Sequence, residues 1–294
     1  MNTVTTSAGR RSGFARTMTE IVHVFNVNKT SWAGLVIFLI ICLLAIFAPL
    51  IAPYDPIDQH IVDALQAPSA KYWLGTDSFG RDLWSRILWG GRISLLVSVT
   101  SISIAMVVGG TLGIVAGYKG GRLDQLIMRT MDVLLSFPTL VMGLLVVAVL
   151  GANLTNLIFA IALTVIPKFA RIARAPTIAV KERDYIEACR ALGYSDIRIM
   201  SIHILPNVVG EVFVLGSLWA ATAVRIEAYL SFIGLGVKPP TPTWGGIIRE
   251  GFETILDAPW ISIYTGLAVL VLVFSLNLLG DGLRDAIDPK LREN

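Results

Sequence analysis

Long apolar runs separated by shorter polar stretches occupy most of the 294 residues. An α-helix needs roughly 20 apolar residues to cross the hydrocarbon layer of a bilayer, and six runs come close to that length. They are expected to begin near Trp32, Ile93, Val133, Leu154, Val208 and Ile261, and to end near Ala52, Gly117, Leu150, Phe169, Gly236 and Leu279. The pattern predicts an all-α, polytopic membrane protein with six transmembrane helices.

Composition and the placement of charge agree with this prediction and set an orientation. Hydrophobic residues make up 54% of the chain and charged residues 15%, and a net charge of +3 gives no support for a nucleic-acid partner. Lys and Arg number 17 in the N-terminal tail, residues 118–132, residues 167–207 and the C-terminal tail, against 6 in the alternate loops. Because basic residues accumulate on the cytoplasmic side, both termini and residues 167–207 are predicted to be cytoplasmic.

The spans divide the chain into parts with different surroundings. Apolar residues of the N-terminal tail recur at helical spacing, which predicts an amphipathic helix in the membrane interface, with a frayed tail as the alternative. These residues are Phe14, Met18, Ile21, Val22 and Phe25. The predicted parts are a cytoplasmic tail (1–31), the first transmembrane helix (32–52), an extracytoplasmic segment (53–92), a five-helix core (93–280) with a cytoplasmic loop (171–207), and a cytoplasmic tail (281–294). The prolines of "VKPPTPTWGG" predict a rigid, kinked loop over residues 237–260.

Three glycines recur every fourth residue in the second span. Gly109, Gly113 and Gly117 therefore form a smooth stripe on one helix face, which favours close packing of a neighbouring backbone. A ligand-facing role is the alternative.

The fifth span contains two ionisable residues, Arg225 and Glu227. Charged side chains inside a bilayer are costly unless they reach water, protein or the interface. Two interpretations remain open: the side chains extend to the outer interface, or they line a polar translocation path.

Catalytic motifs give little support for an enzyme. The chain has no G-x-x-x-x-G-K-[ST] motif, so any ATP chemistry must come from another subunit, and no metal-ligand motif is present. Asp132 and Asp281 lie near cytoplasmic span ends and leave an intramembrane aspartyl protease as a distant alternative. Gly280 and Gly282, on either side of Asp281, are expected to end a helix.

The stretch "YIEACRALGYSDIRIMSIHILPN" (185–207) is charged, helix-prone and predicted to be cytoplasmic. Gly193 interrupts it, so we expect two short helices joined at this glycine. An apolar stripe of Ile197, Met200, Ile204 and Leu205 continues after the break. Such a helix suits docking into a groove of a soluble partner, and packing against its own bundle is the alternative.

Glu187, Ala188 and Gly193 match the cytoplasmic loop signature of binding-protein-dependent ABC importer permeases, and Cys189 stands where the second Ala of that signature is expected. The segments "APYDP", "WLGTDSFGRDLWSRILWGGRISL", "GYKGGRLDQLIMRTMDVLLSFP", "YLSFIGLGVKPPTPTWGGII" and "NLLGDGLRDAIDPKL" extend the likeness over nearly the whole chain. The chain resembles the DppC/OppC-like permease subunits of the dipeptide/oligopeptide/nickel branch.

This resemblance implies a type I ABC importer permease fold, a coupling helix between spans 4 and 5, and a bacterial or archaeal plasma membrane, the inner membrane if Gram-negative. The implied partners are a second permease subunit, two cytoplasmic ATP-binding subunits that carry ATP and Mg, an extracytoplasmic solute-binding protein and membrane lipid. No cofactor is expected on this chain. The implied ATPase-coupling residues are Tyr185, Glu187, Ala188, Ala191, Leu192, Gly193, Ser195, Asp196, Ile197, Arg198 and Met200.

The implied substrates are di- and oligopeptides, with nickel chelates, glutathione or opine-like conjugates as alternatives. A secondary transporter driven by an ion gradient is a rival from another class.

Overall fold

The computed structural model describes residues 29–287, so the apolar residues expected to form an interfacial helix near the N-terminus lie outside the described residues. The described chain is helical and contains no β-strand. Its helices of eight residues or more are α1 (Lys29–Ile46), α2 (Leu83–Lys119), α3 (Gly121–Ser136), α4 (Thr139–Leu150), α5 (Leu154–Lys181), α6 (Asp184–Ala191), α7 (Asp196–Phe232), α8 (Trp244–Glu253) and α9 (Pro259–Ile287).

Five of these helices, α1, α2, α5, α7 and α9, are long and apolar enough to cross a membrane. A sixth span arises if α3 and α4, which are bent by 92° at the break between them, are counted together. The third span, expected as one rod beginning near Val133, is therefore broken. Pro138 has no N–H for a helical hydrogen bond, and Phe137 before it is extended with ψ 135°.

Several helices extend beyond their predicted ends. α2 begins ten residues before Ile93, because the Asp82 side chain caps its first turn by accepting a 2.8 Å hydrogen bond from the Ser85 N–H. α5 contains Pro167 and Pro176 and continues past Phe169 to Lys181. The two short helices expected within residues 185–207 are α6 and the start of a much longer α7.

The glycines predicted to end the last span lie inside α9 instead. A Cβ at Gly280 would lie 2.4 Å from Leu218, and one at Gly282 would lie 2.0 Å from the Ser31 hydroxyl. The prediction of helix termination there was wrong because these glycines permit close contact with α7 and α1.

The glycine stripe of α2 lies against α5. A Cβ at Gly109, Gly113 or Gly117 would lie 2.5, 2.2 or 2.9 Å from a backbone oxygen of α5. Those oxygens belong to Ile166, Ala170 and Arg174. The repeat of four on both helices places the two backbones in direct contact over about two turns.

Residues 237–260, expected to be a kinked loop, contain α8. Thr243 caps this helix by accepting a hydrogen bond from the Gly246 N–H. The Trp244 side chain is buried and its indole N–H donates to the Ile87 carbonyl at 2.8 Å. α8 is thereby fixed to the start of α2.

Candidate functional site

The turn between α6 and α7 is built around Gly193. Its φ of +78° lies in the left-handed region that favours glycine, and a Cβ added at this residue would have no other atom within 4 Å. The Gly193 N–H donates to the Arg190 carbonyl and the Tyr194 N–H donates to the Cys189 carbonyl. This pair of bonds is a Schellman motif, which ends α6 sharply and exposes the turn.

Buried isoleucines anchor the turn to the bundle. Ile186, Ile199 and Ile204 are fully buried. The apolar stripe predicted from the sequence did not include Ile199. The prediction assumed a regular α-helix, whereas residues 199–204 form a π-helical segment, which places positions five apart, such as Ile199 and Ile204, on the same side. Ile197 is instead 75% exposed, and Met200 is half-buried against the core.

A polar contact ties the start of α7 to the end of α2. The Tyr118 hydroxyl donates a 2.8 Å hydrogen bond to the Asp196 carboxylate, and Lys119 forms an ion pair with the same carboxylate. The Arg190 guanidinium lies 5.3 Å from the centre of the Tyr118 ring. Both sides of the Gly193 turn therefore contact the last turn of α2.

Rings and a thiol pack beneath the turn. The imidazole of His203 stacks on Tyr194 with ring centres 6.3 Å apart, and its Nε2 lies 3.6 Å from the Cys189 sulfur. The Arg198 guanidinium lies 4.3 Å from the centre of the Tyr194 ring. These contacts hold α6 against the first turns of α7.

We call the exposed part of this region the loop surface. It contains all but one of the coupling residues implied by the family resemblance, since Met200 is half-buried. Its members are Tyr185, Glu187, Ala188, Ala191, Leu192, Gly193, Ser195, Asp196, Ile197 and Arg198. Leu192 and Ile197 flank the turn with 74% and 75% of their surface exposed, which is typical of an apolar contact site for a partner.

The two ionisable residues of α7 lie in different surroundings. Arg225 is exposed and donates a 2.9 Å hydrogen bond to the Thr222 hydroxyl. Glu227 is fully buried, and its Oε1 accepts a 2.7 Å hydrogen bond from Ser231, whereas its Oε2 has no partner in the described part of the chain. The structure does not bring the two side chains together.

Sequence reasoning missed a buried charge network at the opposite end of the bundle. Arg81 donates to Asp77 and to Glu250, each at 2.7 Å. Arg86 pairs with the same two carboxylates, with its Nη1 2.6 Å from Glu250 Oε2. Arg81, Arg86 and Asp77 are 1–3% exposed, so these charges are removed from water and compensate one another.

We call Asp77, Arg81, Arg86 and Glu250 the outer charge network, after the side of the membrane that the distribution of Lys and Arg predicts for this end of the bundle. It joins α8 to the start of α2, because Glu250 lies on α8 and Arg86 on α2. A cavity of about 390 Å³ lies beside it, and Ser231 lines one wall. The segment "GTDSFGRDLWSR" contains three of the four charged residues of this network. Its composition is typical of a solvated stretch, and no local sequence pattern indicates that Glu250 packs against it.

The carboxylates considered for a protease do not form a pair. Asp132 forms a 2.5 Å ion pair with Arg171, and Asp281 is exposed on α9. In residues 29–287 no contact between the two carboxylates is present, so the shared-proton arrangement of an aspartyl protease is missing there.

Comparison with known proteins gives consistent results over most of the chain. The family model described as the binding-protein-dependent transport system inner membrane component matches residues 109–293. A second model, the N-terminal TM domain of oligopeptide transport permease C, matches residues 18–68.

Curated relatives match along nearly their whole length. A dipeptide transport system permease protein DppC of Alkalihalophilus pseudofirmus is 40% identical, over 90% of this chain and 87% of the relative. A glutathione transport system permease protein GsiD of Pectobacterium atrosepticum is 43% identical, over 88% of this chain and 86% of the relative. A di/tripeptide transport system permease protein DppC of Pseudomonas aeruginosa is 41% identical, over 93% of this chain and 92% of the relative.

Among solved structures, an inward-facing conformation of the MetNI methionine ABC transporter matches with a TM-score of 0.55 and 17% identity. The match covers 69% of this chain and 97% of that chain, and at this identity it shows the fold alone. The expected type I importer permease fold is thereby confirmed. Together with the family model and the curated relatives, the helical bundle places this chain in the family of binding-protein-dependent ABC transport permeases, as a multi-pass membrane protein of its peptide-permease branch.

Proposed function

We propose that this chain forms half of the translocation pathway of an ATP-driven importer of di- and oligopeptides. A second permease subunit completes the pathway, two cytoplasmic ATPases bind ATP and Mg, and an extracytoplasmic binding protein delivers the solute. Both termini and the loop surface face the cytoplasm in this proposal, as the distribution of Lys and Arg favours. The chain itself catalyses no reaction and binds no cofactor.

The observation that carries the proposal is the loop surface. Leu192 and Ile197 are three-quarters exposed on a turn whose base is fixed by buried isoleucines. Two exposed apolar side chains on a rigid base are suited to insertion into a groove of a soluble protein. We propose that this groove belongs to the ATPase, with Gly193 to Ser201 as the coupling helix and Glu187 and Ala188 ordering its approach.

The geometry of α7 supports transmission of force from this surface. α7 is continuous from Asp196 to Phe232, a length of about 55 Å at 1.5 Å per residue. At its far end it contacts α8, since a Cβ at Gly245 would lie 2.4 Å from the Ala228 carbonyl oxygen. A displacement applied near Asp196 is therefore transmitted to α8 through the single helix α7. The two states of the transporter would differ in the position of α7.

Arg225 and Glu227 remain candidates for the lining of the pathway. Arg225 already has an exposed side chain, as contact with a passing solute requires. Glu227 is buried between α7 and its neighbours, so a lining role for it requires movement of α7 relative to them.

The substrate class rests on the relatives. Two of the three named above transport dipeptides or di- and tripeptides, which favours short peptides here. The glutathione permease is equally similar, so glutathione, itself a tripeptide-like solute, is the second candidate. Nickel chelates and opine-like conjugates stay further alternatives. Calorimetric titration of the binding protein with dipeptides, tripeptides and glutathione distinguishes these classes.

The coupling proposal is tested by changing the exposed side chains of the turn. A Leu192→Asp, Ile197→Asp double variant is expected to insert normally, because both side chains are largely exposed. ATP-driven uptake and solute-stimulated ATP hydrolysis in proteoliposomes should fall at least about tenfold, a loss of about 1.4 kcal/mol in docking. The matched control is Leu192→Met, Ile197→Val, which keeps the apolar contact.

Uptake and ATP hydrolysis of the Asp double variant equal to those of the wild type would contradict the assignment. An independent measurement is disulfide or bifunctional crosslinking from Ser195→Cys, which should give an adduct with the ATPase chain. Accumulation of solute in vesicles that hold an ion gradient and lack ATP would favour the secondary-transporter rival.

A further inference from the structure

A second cavity, of about 270 Å³, lies between α1, α2 and α9 at the end of the bundle that carries residues 53–82. We call it the outer crevice. Its walls are aliphatic side chains and the rings of Trp84, Trp244 and Tyr264. The aliphatic side chains include those of Ile41, Ala45, Leu267 and Ala268. The outer crevice is separate from the loop surface and from the outer charge network.

The outer crevice is continuous with the surface of the protein that contacts lipid. Leu267 lines it and is also 51% exposed. The helices on either side expose large apolar side chains next to it, with Ile46 of α1 at 62% and Leu270 of α9 at 63%. In a multi-pass membrane protein such a surface faces acyl chains. The mouth of the outer crevice therefore opens into the hydrocarbon layer.

Water is a poor occupant of this cavity. A buried water needs about two to four polar partners. In the lining, the Trp244 indole N–H already donates to the Ile87 carbonyl, which leaves the Trp84 indole and the Tyr264 hydroxyl as polar groups. A flexible apolar chain fills such a space without breaking hydrogen bonds of its own.

One polar atom in the lining lacks a partner. The Trp84 Nε1 is buried and donates to no acceptor in the described residues. Trp84 is the second residue of α2, and its ring centre lies 6.2 Å from that of Trp73, which is 60% exposed. Tryptophans at a span end are typical of the boundary between acyl chains and headgroups, where ester carbonyl and phosphate oxygens are available as acceptors. An unpaired N–H at this depth fits a lipid acceptor.

We propose that the outer crevice binds one membrane phospholipid, with an acyl chain between α1 and α9 and an ester or phosphate oxygen accepting the Trp84 Nε1 hydrogen bond. The bound chain fills the space between α1 and the rest of the bundle. This contribution matters for α1, whose buried residues are limited to Ser31, Gly34 and Ala45. Loss of the lipid should therefore loosen α1 before the other helices.

The first test is native mass spectrometry of the transporter complex that contains this chain. The complex is purified in a mild detergent, which is removed in the spectrometer. We expect about one phospholipid per chain to remain on the wild type. Ala268→Leu adds bulk inside the outer crevice and should reduce this retention at least threefold. The matched control Leu270→Phe adds bulk on the exposed face of the same helix and should retain lipid like the wild type. No retained lipid on the wild type, or equal retention on Ala268→Leu, overturns the proposal.

A second variant distinguishes loss of lipid binding from a folding defect. Trp84→Phe keeps a ring in the wall and removes the N–H, so the melting temperature should stay within about 2 °C while lipid retention falls by at least twofold. Unchanged retention on Trp84→Phe overturns the assigned hydrogen bond.

The occupant itself is identified by a photo-reactive benzoylphenylalanine in place of Tyr264, whose ring already lines the outer crevice. A phospholipid adduct supports the proposal. An adduct with a polypeptide shows that a neighbouring subunit fills the outer crevice and overturns it.

Discussion

The hydroxyl of Tyr118, at the end of α2, donates a 2.8 Å hydrogen bond to the carboxylate of Asp196, the first residue of α7. The two residues are 78 positions apart in the sequence, and this bond fixes the Gly193 turn to the helix that packs most extensively against α5. A displacement of the loop surface is therefore shared between α7 and α2 instead of being absorbed by the turn.

Tyr118→Phe should weaken this link. The ring is buried and is retained in the variant, so insertion and expression should be unchanged, whereas loss of a hydrogen bond to a charged group costs about 1.5–3 kcal/mol. We expect fewer solute molecules imported per ATP hydrolysed in proteoliposomes. The control is Thr111→Val on the same helix, whose hydroxyl donates only to the Val107 carbonyl one turn earlier. If the two variants import the same number of solute molecules per ATP hydrolysed, the Tyr118 hydrogen bond does not contribute to coupling.

The packing of α2 on α5 gives a prediction with an internal control. At Gly113 a Cβ would lie 2.2 Å from the Ala170 carbonyl oxygen, so Gly113→Ala forces the two backbones apart and should cost about 1–3 kcal/mol. At Gly110 the nearest atom to a Cβ is Val212 Cγ1 at 3.9 Å, an ordinary contact. Thermal unfolding of the purified complex should show a lower melting temperature for Gly113→Ala and little change for Gly110→Ala.

The sequence predicted the helical class, five of the spans and the break at Gly193, because these follow from apolar run length and glycine chemistry. It did not predict the bend at Pro138, since a proline inside a span is compatible with either a kink or a break until neighbouring helices are known. The interior position of Gly280 was missed for a related reason. A glycine that ends a helix and one that admits a neighbour look the same in a single sequence.

Side-chain burial was the part of the site least visible in the sequence. Ile199 became a buried anchor and Ile197 an exposed contact because a π-helical segment changed the angular register of α7. The partner of Arg86 lies 164 positions away on α8, and that pairing depends on the packing of the outer helix. Local patterns carry no information on such distant contacts.

The outer charge network should be essential for folding of the outer end. Arg86→Met leaves Asp77, which is 1% exposed, with one basic partner instead of two, and removing one member of a buried ion pair costs about 3–5 kcal/mol. Because Glu250 is 26% exposed, its share of this loss is reduced by solvent. We expect α8 to become sensitive to trypsin added from outside.

The control for this prediction is Glu253→Gln on α8, which keeps Arg249 as the trypsin site of this helix. The Glu253 carboxylate is largely exposed and lies 3.8 Å from the Arg249 guanidinium, a geometry that contributes at most about 0.5 kcal/mol. The trypsin sensitivity of this variant should match that of the wild type. Resistance of Arg86→Met to the protease would show that the network is not required to hold α8.

Acidification should loosen residues 61–76 before the membrane helices. Asp63 accepts hydrogen bonds from Lys71 at 2.7 Å, from Tyr72 at 2.8 Å and from Gln66 at 2.8 Å. The bond from Lys71, followed by that from Tyr72, lowers the pKa of the Asp63 carboxyl below its usual value of about 4. Because the unfolded segment then binds more protons than the folded one, this stabilisation is complete above about pH 4 and is lost as the pH falls through the lower folded pKa.

Hydrogen exchange measured at pH 5 and at pH 3 should show this loss, after correction for the intrinsic exchange rate. Protection of the amides in residues 61–76 should fall at the lower pH, and that of α2 and α5 should not. Asp63→Asn cannot be protonated and loses the charge-assisted bond from Lys71, so its protection should be lower than that of the wild type at pH 5 and independent of pH below it. If the wild type keeps full protection at pH 3, the Asp63 carboxylate does not hold this segment, and the bond from the Thr76 hydroxyl to the Asp63 carbonyl is the contact that remains to do so.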